Sequence, residues 1–432
     1  MKIAFLTLGC KVNQYETDKL KEQAIKRGYD IVDFEDIADV YCINSCSVTN
    51  LSQRKSRQMI AHARLKNKDA IIAVLGCAVE SIKEDVTSLR VIADILIGNN
   101  DKERFYEILE SKLNNKENNS ICISDISIEK TYNEKTLLTK AFDVREAVKI
   151  EDGCNNFCSY CIIPYLRGRV RSRKYEEIEK EVQALVNDGV KEIILVGIEV
   201  ASYGKDLENI TLVDIIERLN EIKGLERIRL SSLEPRFLTE ENVIRLSKCQ
   251  KLCNYFHISM QSGSSETLKR MNRKYNKELL IDVANRLREY FKNCYIAADV
   301  IVGFPGETED EFEETKNTIS LMGLNQLHVF KYSKRNYTRA AKMGNQVDGN
   351  IKKRRSEELI AFSENSKEKF LKKVIGNELK VLFENYHEGF LKGYTTNYIK
   401  VKIKGEEELC GTIQDVVATS LENETVIGII KK

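Results

Sequence analysis

The 432-residue sequence predicts a multidomain α/β protein: an open parallel α/β domain, a longer βα-repeat domain that closes fully or partly into a barrel, and a small β-barrel. Three observations predict this. Strand-like apolar runs alternate with helix-length segments through the first three quarters of the chain, the pattern of parallel sheets covered by helices. A polar stretch from Ser111 to Lys140, centred on an Asn-rich run, interrupts the alternation and marks a boundary. Beyond residue 370 the pattern becomes five short strands divided by Gly, Asn and acidic turns.

The length itself suggests about three domains. A formal net charge of +2 says little about partners, because a whole-chain value can hide a local patch. Twelve cysteines would form disulfides in a secreted protein, but the apolar stretch Ile3 to Leu8 ahead of Cys10 is too short for an export signal. No apolar run approaches the ~20 residues that span a bilayer. The expectation is a cytoplasmic protein with no membrane partner and with reduced thiols available as metal ligands.

In residues 1–115, Lys2 to Leu8, Val40 to Asn44 and Ala70 to Leu75 read as buried strands, and Gln14 to Arg27 and Ser52 to Leu65 as amphipathic helices. Cys10, Cys46 and Cys77 each follow the C-terminal end of a strand, the edge where ligands of open α/β sheets gather. Position alone leaves two readings: three thiols converging on one site, or small apolar residues filling strand ends. Cys42, inside its strand, reads as core.

Residues 116–140 read as a linker and 141–369 as the second domain. Its first strand, Ala147 to Ile150, runs into Glu151-Asp-Gly-Cys154-Asn-Asn-Phe-Cys158-Ser-Tyr160-Cys161-Ile-Ile-Pro164. Structural zinc takes four protein ligands, and no fourth Cys or His lies close by. Three thiolates on a cubane iron-sulfur cluster leave one iron open to a reactive ligand. Later strands end in Val196-Gly197-Ile-Glu199, His257-Ile-Ser-Met-Gln261-Ser262-Gly263 and Asp299-Val-Ile-Val-Gly303-Phe-Pro305-Gly306. The run Arg167-Gly-Arg169-Val-Arg171-Ser-Arg173 reads either as phosphate contacts or as solvated charge at a helix entry. From Lys331 to Lys380 there are 14 Lys and Arg against 6 Asp and Glu, again phosphate binding or a solvated helix face. Neither a P-loop nor a G-x-G-x-x-G turn is present. In residues 370–432, Tyr386, Phe390, Tyr394 and Tyr398 are candidates for base stacking or for core packing. Cys122, Cys249, Cys253, Cys294 and Cys410 read as packing.

The triplet resembles the signature of the radical S-adenosylmethionine (SAM) enzymes. That resemblance implies a 4Fe-4S cluster on Cys154, Cys158 and Cys161, whose open iron takes the amino and carboxylate groups of SAM. An electron then splits SAM into methionine and a deoxyadenosyl radical. It also implies that Tyr160 lies against the adenine and that Gly197 and Glu199 receive the amino group, although one of that segment's two glycines is missing here. Gln261 and Ser262 would hydrogen-bond ribose or carboxylate, and Asp299 and Gly303 would border the adenine. Thr7-Leu-Gly-Cys10-Lys-Val-Asn13, Asn44-Ser-Cys46-Ser-Val-Thr49 and Leu75-Gly-Cys77 look like the three blocks of the methylthiotransferase N-terminal domain, whose thiols hold a second 4Fe-4S cluster that supplies sulfur. Gly393-Tyr-Thr-Thr-Asn-Tyr398 resembles the TRAM domain, an RNA-binding module.

The whole chain is thus similar to the methylthiotransferase family of radical SAM enzymes. Gly9-Cys-Lys-Val-Asn13 is most like the branch that acts on threonylcarbamoyl-adenosine beside the tRNA anticodon; other branches act on isopentenyl-adenosine or on a ribosomal-protein aspartate. The resemblance implies a transferase that inserts a methylthio group at C2 of the adenine, with SAM and two 4Fe-4S clusters as cofactors. The implied partners are the tRNA anticodon stem-loop, an electron-donor protein and a sulfur source. The alternative of another class is a non-catalytic RNA-binding scaffold with a structural metal site.

Overall fold

The computed structural model of the protein describes residues 1–47, 50–81, 93–114, 120–134 and 136–431. Val48 and Thr49 of the second thiol block, and the Asn-rich run at 115–119, lie outside the described residues.

The first sheet is wholly parallel. Its strands are β1 (Lys2–Thr7), β2 (Asp30–Val32), β3 (Val40–Ser45), β4 (Ile71–Gly76), β5 (Ile95–Ile97) and β6 (Ser120–Cys122), in the order β2-β1-β3-β4-β5-β6. Alternate side chains feed two cores. Ala4, Ile43 and Val74 meet Ile60 and Ala63 of helix Asn50–Lys66, while Ile3, Cys42 and Ala73 meet Leu20 and Ala24 of helix Lys11–Lys26. This is the two-sided cover that a parallel sheet requires. The strand order reverses between β1 and β3, so the ligand crevice opens at their C-terminal ends. Cys10 and Cys46 leave the sheet there, and Cys77 leaves neighbouring β4.

Two expectations are corrected. The stretch read as linker contributes β6, which pairs with β5, and it buries Ile126 and Leu138. A three-residue strand is too short for hydrophobic periodicity to reveal. The helix Lys11–Lys26 is also buried along its polar side, including Asn13, Glu16, Thr17 and Lys19, because the second domain packs there and takes Val12 and Tyr15 into its own core.

The second domain carries β7 (Arg145–Lys149), β8 (Glu151–Asp152), β9 (Arg171–Ser172), β10 (Glu192–Val196), β11 (Arg227–Leu230), β12 (Tyr255–Gln261), β13 (Tyr295–Val302) and β14 (Gln326–Lys331). Parallel sheets β7-β10-β11 and β12-β13-β14 are joined by the bridges Ile228 to Leu252 and Leu233 to Ile258, giving one array in chain order. Thr211 with Asp214 and Thr308 with Glu311 form capping boxes that satisfy the free N–H groups of two intervening helices. Strands β8 and β9 pair antiparallel as the stem of a hairpin whose loop, residues 153–170, carries the cysteine triplet.

Helix Gly349–Lys373 runs along β14 into a closed five-stranded barrel: β15 (Glu378–His387), β16 (Phe390–Thr395), β17 (Lys400–Lys404), β18 (Ile413–Glu422) and β19 (Thr425–Ile430), in the order β15-β16-β17-β19-β18. It docks on the N-terminal ends of the second domain's strands, opposite the thiols. Arg227 donates to the Tyr394 and Lys380 carbonyls at 2.9 and 3.0 Å, and Arg229 to those of Thr395 and Thr396 at 3.1 and 3.0 Å. Tyr394 and Tyr398 stack on each other, with centroids 4.9 Å apart, beneath the Arg145 guanidinium. These two aromatics therefore belong to the domain seam, and Tyr386 and Phe390 stay exposed.

Glu192 is the acid at the centre of the seam, 2.7 Å from Arg229 and 3.6 Å from both Arg145 and Arg227. Burial alone would raise its pKa, but the three guanidiniums outweigh it and hold the carboxyl below its ordinary value. A depressed carboxylate contributes stability that is complete above its unfolded pKa of about 4.3 and is lost as pH falls through the folded value. We predict that Glu192→Gln costs about 3–5 kcal/mol, hastens proteolytic cleavage between the second domain and the barrel, and flattens the acid limb of the stability profile.

Candidate active site

The three N-terminal thiols sit on turns held together by short polar links. Gly9 adopts φ +111°, and a Cβ there would lie 2.9 Å from Cys46 Cβ and 3.1 Å from its Sγ, so glycine is what lets the Cys10 and Cys46 turns touch. Asn13 Nδ2 donates to the Leu8 and Ser45 carbonyls at 2.8 and 3.2 Å, and Ser47 Oγ to the Cys77 carbonyl at 2.9 Å. Cys46 and Cys77 are buried. Cys10 reaches solvent, yet the protein around its sulfur raises the thiol pKa against the opposing pull of Arg167.

The second set is equally constrained. Gly153, at φ +83°, tolerates no Cβ because it would collide with the Arg169 carbonyl across the hairpin. Cys154 N–H donates to the Gly168 carbonyl at 3.0 Å, and Cys161 N–H to that of Cys158 at 3.0 Å. Arg273 Nη1 donates to Cys158 Sγ at 3.2 Å, and Asn156 N–H points at Cys154 Sγ from 3.5 Å. Burial pushes the Cys154 and Cys161 thiols up, Cys161 to about 12.

The donor set fits a cluster. Three thiols on one hairpin loop suit a cubane that keeps one iron open, whereas the carboxylate oxygens of Glu16, Glu134 and Asp152 lie within 4.8 Å of one another. That trio is already neutralised by Lys149 and Arg167. Beside the triplet, Asn156 Nδ2 donates to Glu199 Oε2 at 3.2 Å, while Glu199 Oε1 is buried without a partner among the described residues. Burial raises the Glu199 carboxyl to about 7. An orphaned carboxylate oxygen at this position suits an incoming ammonium group.

The two thiol sets meet. Cys77 packs on Ile162 and Leu166, immediately beyond Cys161, and Asn99 Nδ2 donates to the Leu166 carbonyl at 2.8 Å. Behind them Arg167 joins both domains, with Nη1 2.7 Å from Glu16 and 3.1 Å from Asp152 and Nη2 donating to Asn13 Oδ1 at 2.7 Å. Lys149 bridges Glu16 at 3.0 Å and Asp152 at 2.8 Å and also pairs with Glu134; Lys102 pairs with Glu16 from the other side. Burial would raise the Glu16 pKa, but Arg167, Lys102 and Lys149 hold it well below the carboxylate range. A cleft of about 640 Å³ opens along this seam, bordered by Glu80 beyond Cys77 and by Phe157, Tyr165 and Arg169 of the triplet hairpin.

Residues 148–319 match the radical SAM superfamily, and residues 2–98 match the uncharacterized protein family UPF0004. The chain is 42% identical over 363 residues to the threonylcarbamoyladenosine tRNA methylthiotransferase MtaB of Bacillus subtilis strain 168, covering 84% of this chain and 80% of that protein. The chain belongs to the methylthiotransferase family of radical SAM enzymes. A tRNA-2-methylthio-N(6)-dimethylallyladenosine synthase of Clostridium botulinum strain Eklund 17B is 36% identical over 367 residues, covering 82% of this chain and 78% of that protein. Among solved structures, the radical SAM methyltransferase TsrM of Kitasatospora setae shares the fold with a TM-score of 0.58 at 12% identity, over 78% of this chain and 73% of that one. Radical SAM enzymes use SAM and a 4Fe-4S cluster.

In this methylthiotransferase each remaining sequence-predicted residue is placed by contacts of its own. Tyr160 lies edge-on to Phe304, centroids 6.5 Å apart, in a small apolar cluster that includes Ile301 and Met271. The Glu151 carboxylate covers Gly197 and accepts from Glu199 N–H. Gln261 sits at a β-bulge with φ +65°. Asp299 Oδ1 is 3.0 Å from His257 Nε2, and the stem of Lys352 covers Gly303. The Ser262 hydroxyl faces Thr315 Oγ1 at 3.2 Å and accepts from Ser264 N–H, so it is engaged in packing behind the strand end.

Three contributors escaped the sequence reading: Arg273 on Cys158, Asn272, which donates to the Phe157 carbonyl at 3.0 Å, and Arg335, which donates to the Ser47 carbonyl. Their one signal was cationic or amide character close to a block of recognised residues. The basic runs resolve differently from each other. Arg167, Arg171 and Arg173 are buried, whereas Arg169 is exposed. Arg354 and Arg355 are taken by Glu309, Glu358 and Glu307 at 2.7–3.0 Å, which removes them from phosphate binding.

Replacing either Arg167 or Glu16 leaves the other charge buried without its partner. We predict that Arg167→Met and Glu16→Gln are coupled by about 0.5–3 kcal/mol in a double-mutant cycle. Arg167→Lys should recover part of the loss, because lysine lacks the fork that reaches Glu16 and Asn13 together. Additive thermal-unfolding energies would refute the pairing.

Proposed function

We propose that this chain is a tRNA methylthiotransferase that inserts a methylthio group at C2 of N6-threonylcarbamoyladenosine, next to the anticodon of tRNAs reading codons that start with A. The carrying observation is the seating of Cys77 on Ile162 and Leu166, which brings a thiol of the first domain against the segment that follows Cys161 and beside a cleft those two residues line. The 42% identity to the Bacillus MtaB protein, above the 36–38% for the dimethylallyladenosine enzymes of Clostridium botulinum, supports the choice of nucleoside, as does Gly9-Cys-Lys-Val-Asn13.

Adenine C2–H is inert to acids, bases and nucleophiles, so the chemistry must come from a cofactor. When bound, a 4Fe-4S cluster on Cys154, Cys158 and Cys161 supplies the electron that cleaves SAM, and a second on Cys10, Cys46 and Cys77 supplies the sulfur. The protein's own task is alignment. Glu199, with its unpartnered oxygen, is the acceptor for the SAM amino group, and Gly197 makes room for the Glu151 carboxylate that holds the Glu199 N–H. Tyr160, Asp299 and Gly303 border the adenine, and Gln261 faces the ribose or carboxylate; Ser262 supports that loop from behind. Arg273 steadies the Cys158 sulfur. Ile162 and Leu166 exclude water where the two sets meet.

In this reading residues 1–115, extended by β6, form the sulfur-donating domain, 141–369 the radical SAM core and 370–432 a TRAM-type RNA-binding module that presents Tyr386 and Phe390. An electron-donor protein and a sulfur source complete the cycle. No helix among the described residues is long and apolar enough to cross a membrane, in keeping with work on tRNA in the cytoplasm.

Nucleoside mass spectrometry of tRNA from cells lacking this protein should show loss of the methylthio form and accumulation of N6-threonylcarbamoyladenosine. Complementation with a Cys154/Cys158/Cys161→Ala variant should fail. Purified anaerobically, that variant should hold about four irons and form no deoxyadenosine, whereas the Cys10/Cys46/Cys77→Ala variant should still cleave SAM without thiolating RNA. Deoxyadenosine from the first variant would overturn the assignment.

A further inference from the structure

The cleft beside Ile162 and Leu166 has features that sulfur insertion does not explain. Its volume, about 640 Å³, is that of a site for a nucleoside-sized ligand. Besides the apolar residues at the seam, it is lined by three aromatics and two cations: Phe157, Tyr165, Tyr337, Arg169 and Lys342. Tyr165 and Tyr337 are 46% and 63% exposed, and Phe157 and Tyr337 hold left-handed backbone angles of φ +48° and +69°. Such angles in bulky residues cost energy and concentrate at ligand clamps. The Arg169 guanidinium lies 4.4 Å over the Phe157 ring, which fixes its plane. Of the four arginines in its run it is the exposed one, and no carboxylate pairs with Arg169 or Lys342 among the described residues. The acids in the lining have partners of their own: Glu80 accepts from Asn99 N–H at 3.3 Å and Asp125 from Ser127 N–H at 3.0 Å.

We infer that Arg169, with Lys342, binds the carboxylate of the threonylcarbamoyl group and so selects this nucleoside over one bearing an apolar N6 substituent. The inference rests on the proposed reaction. Threonylcarbamoyl-adenosine ends in a planar anion, and a stacked guanidinium offers it a paired set of N–H donors. An isopentenyl group offers no acceptor and would leave that cation facing hydrocarbon. Tyr165 and Tyr337 flank the position the substituent must pass.

The test is binding, measured by fluorescence anisotropy on the reconstituted holoenzyme without SAM. The probes are anticodon stem-loops carrying threonylcarbamoyl-adenosine or its carboxyl methyl ester. Wild type should bind the acid about tenfold or more tightly than the ester, the worth of a hydrogen bond to a charged group. Arg169→Met should abolish that preference with unchanged iron content, Lys342→Met should reduce it, and Arg169→Lys should restore part of it. Equal affinity of wild type for acid and ester, or equal weakening of both by Arg169→Met as for a phosphate contact, would overturn the inference. Wild type that thiolates isopentenyl-adenosine RNA and not threonylcarbamoyl-adenosine RNA would instead overturn the proposed function itself.

Discussion

The ion network of Glu16, Arg167, Asp152 and Lys149 is the constraint on which the rest of the structure depends. Each member is withdrawn from water, and charges so withdrawn cost several kcal/mol apiece unless fully paired. The pairing here is close to complete, with distances of 2.7–3.1 Å among these four residues. Against an apolar seam of equal volume such a network adds little net stability. What it does is admit one alignment, since sliding the helix Lys11–Lys26 along the hairpin would strand several charges at once. Arg167 lies six residues beyond Cys161, and Glu16 six beyond Cys10. The same contacts that join the domains therefore fix the two thiol sets relative to each other.

The molecule divides its polar work between two ends of the second domain. At the C-terminal ends of the strands, thiols, an orphaned Glu199 oxygen and an open cleft are left for ligands. At the opposite end Glu192 gathers three arginines, of which Arg227 and Arg229 hold the C-terminal barrel through its backbone carbonyls and Arg145 through the Glu384 carboxylate. That seam consumes Tyr394 and Tyr398 and leaves Tyr386 and Phe390 exposed at the far end of the β15-β16 hairpin. An RNA engaging both Tyr386 or Phe390 and the thiol cleft has to span the length of the second domain.

The triplet was legible from its spacing, and the placement of Cys10, Cys46 and Cys77 from strand ends that short apolar runs mark: β1, β3 and β4 begin and end within a residue or two of where their patterns do. What could not be read was partnership across long separations. The polar face of helix Lys11–Lys26 looks solvated in sequence, since nothing local announces that Arg167, 151 residues from Glu16, will cover it. In the same way three alternating arginines vanish into the interior while Arg169 does not. The strand β6 was hidden by polar neighbours, being three residues long and paired at one edge. Arg273 reaches Cys158 across 115 residues and carries no spacing signal.

The most direct measurement is electron paramagnetic resonance of the anaerobically reconstituted, fully reduced protein, compared with the two triple-alanine variants. If Cys77 sits against the segment following Cys161, the clusters relax one another, and the spectrum of the intact protein is broadened and relaxes faster than the sum of the two single-cluster spectra. A spectrum equal to that sum, with unaltered relaxation, would mean that the two sulfur sites do not face a common cleft.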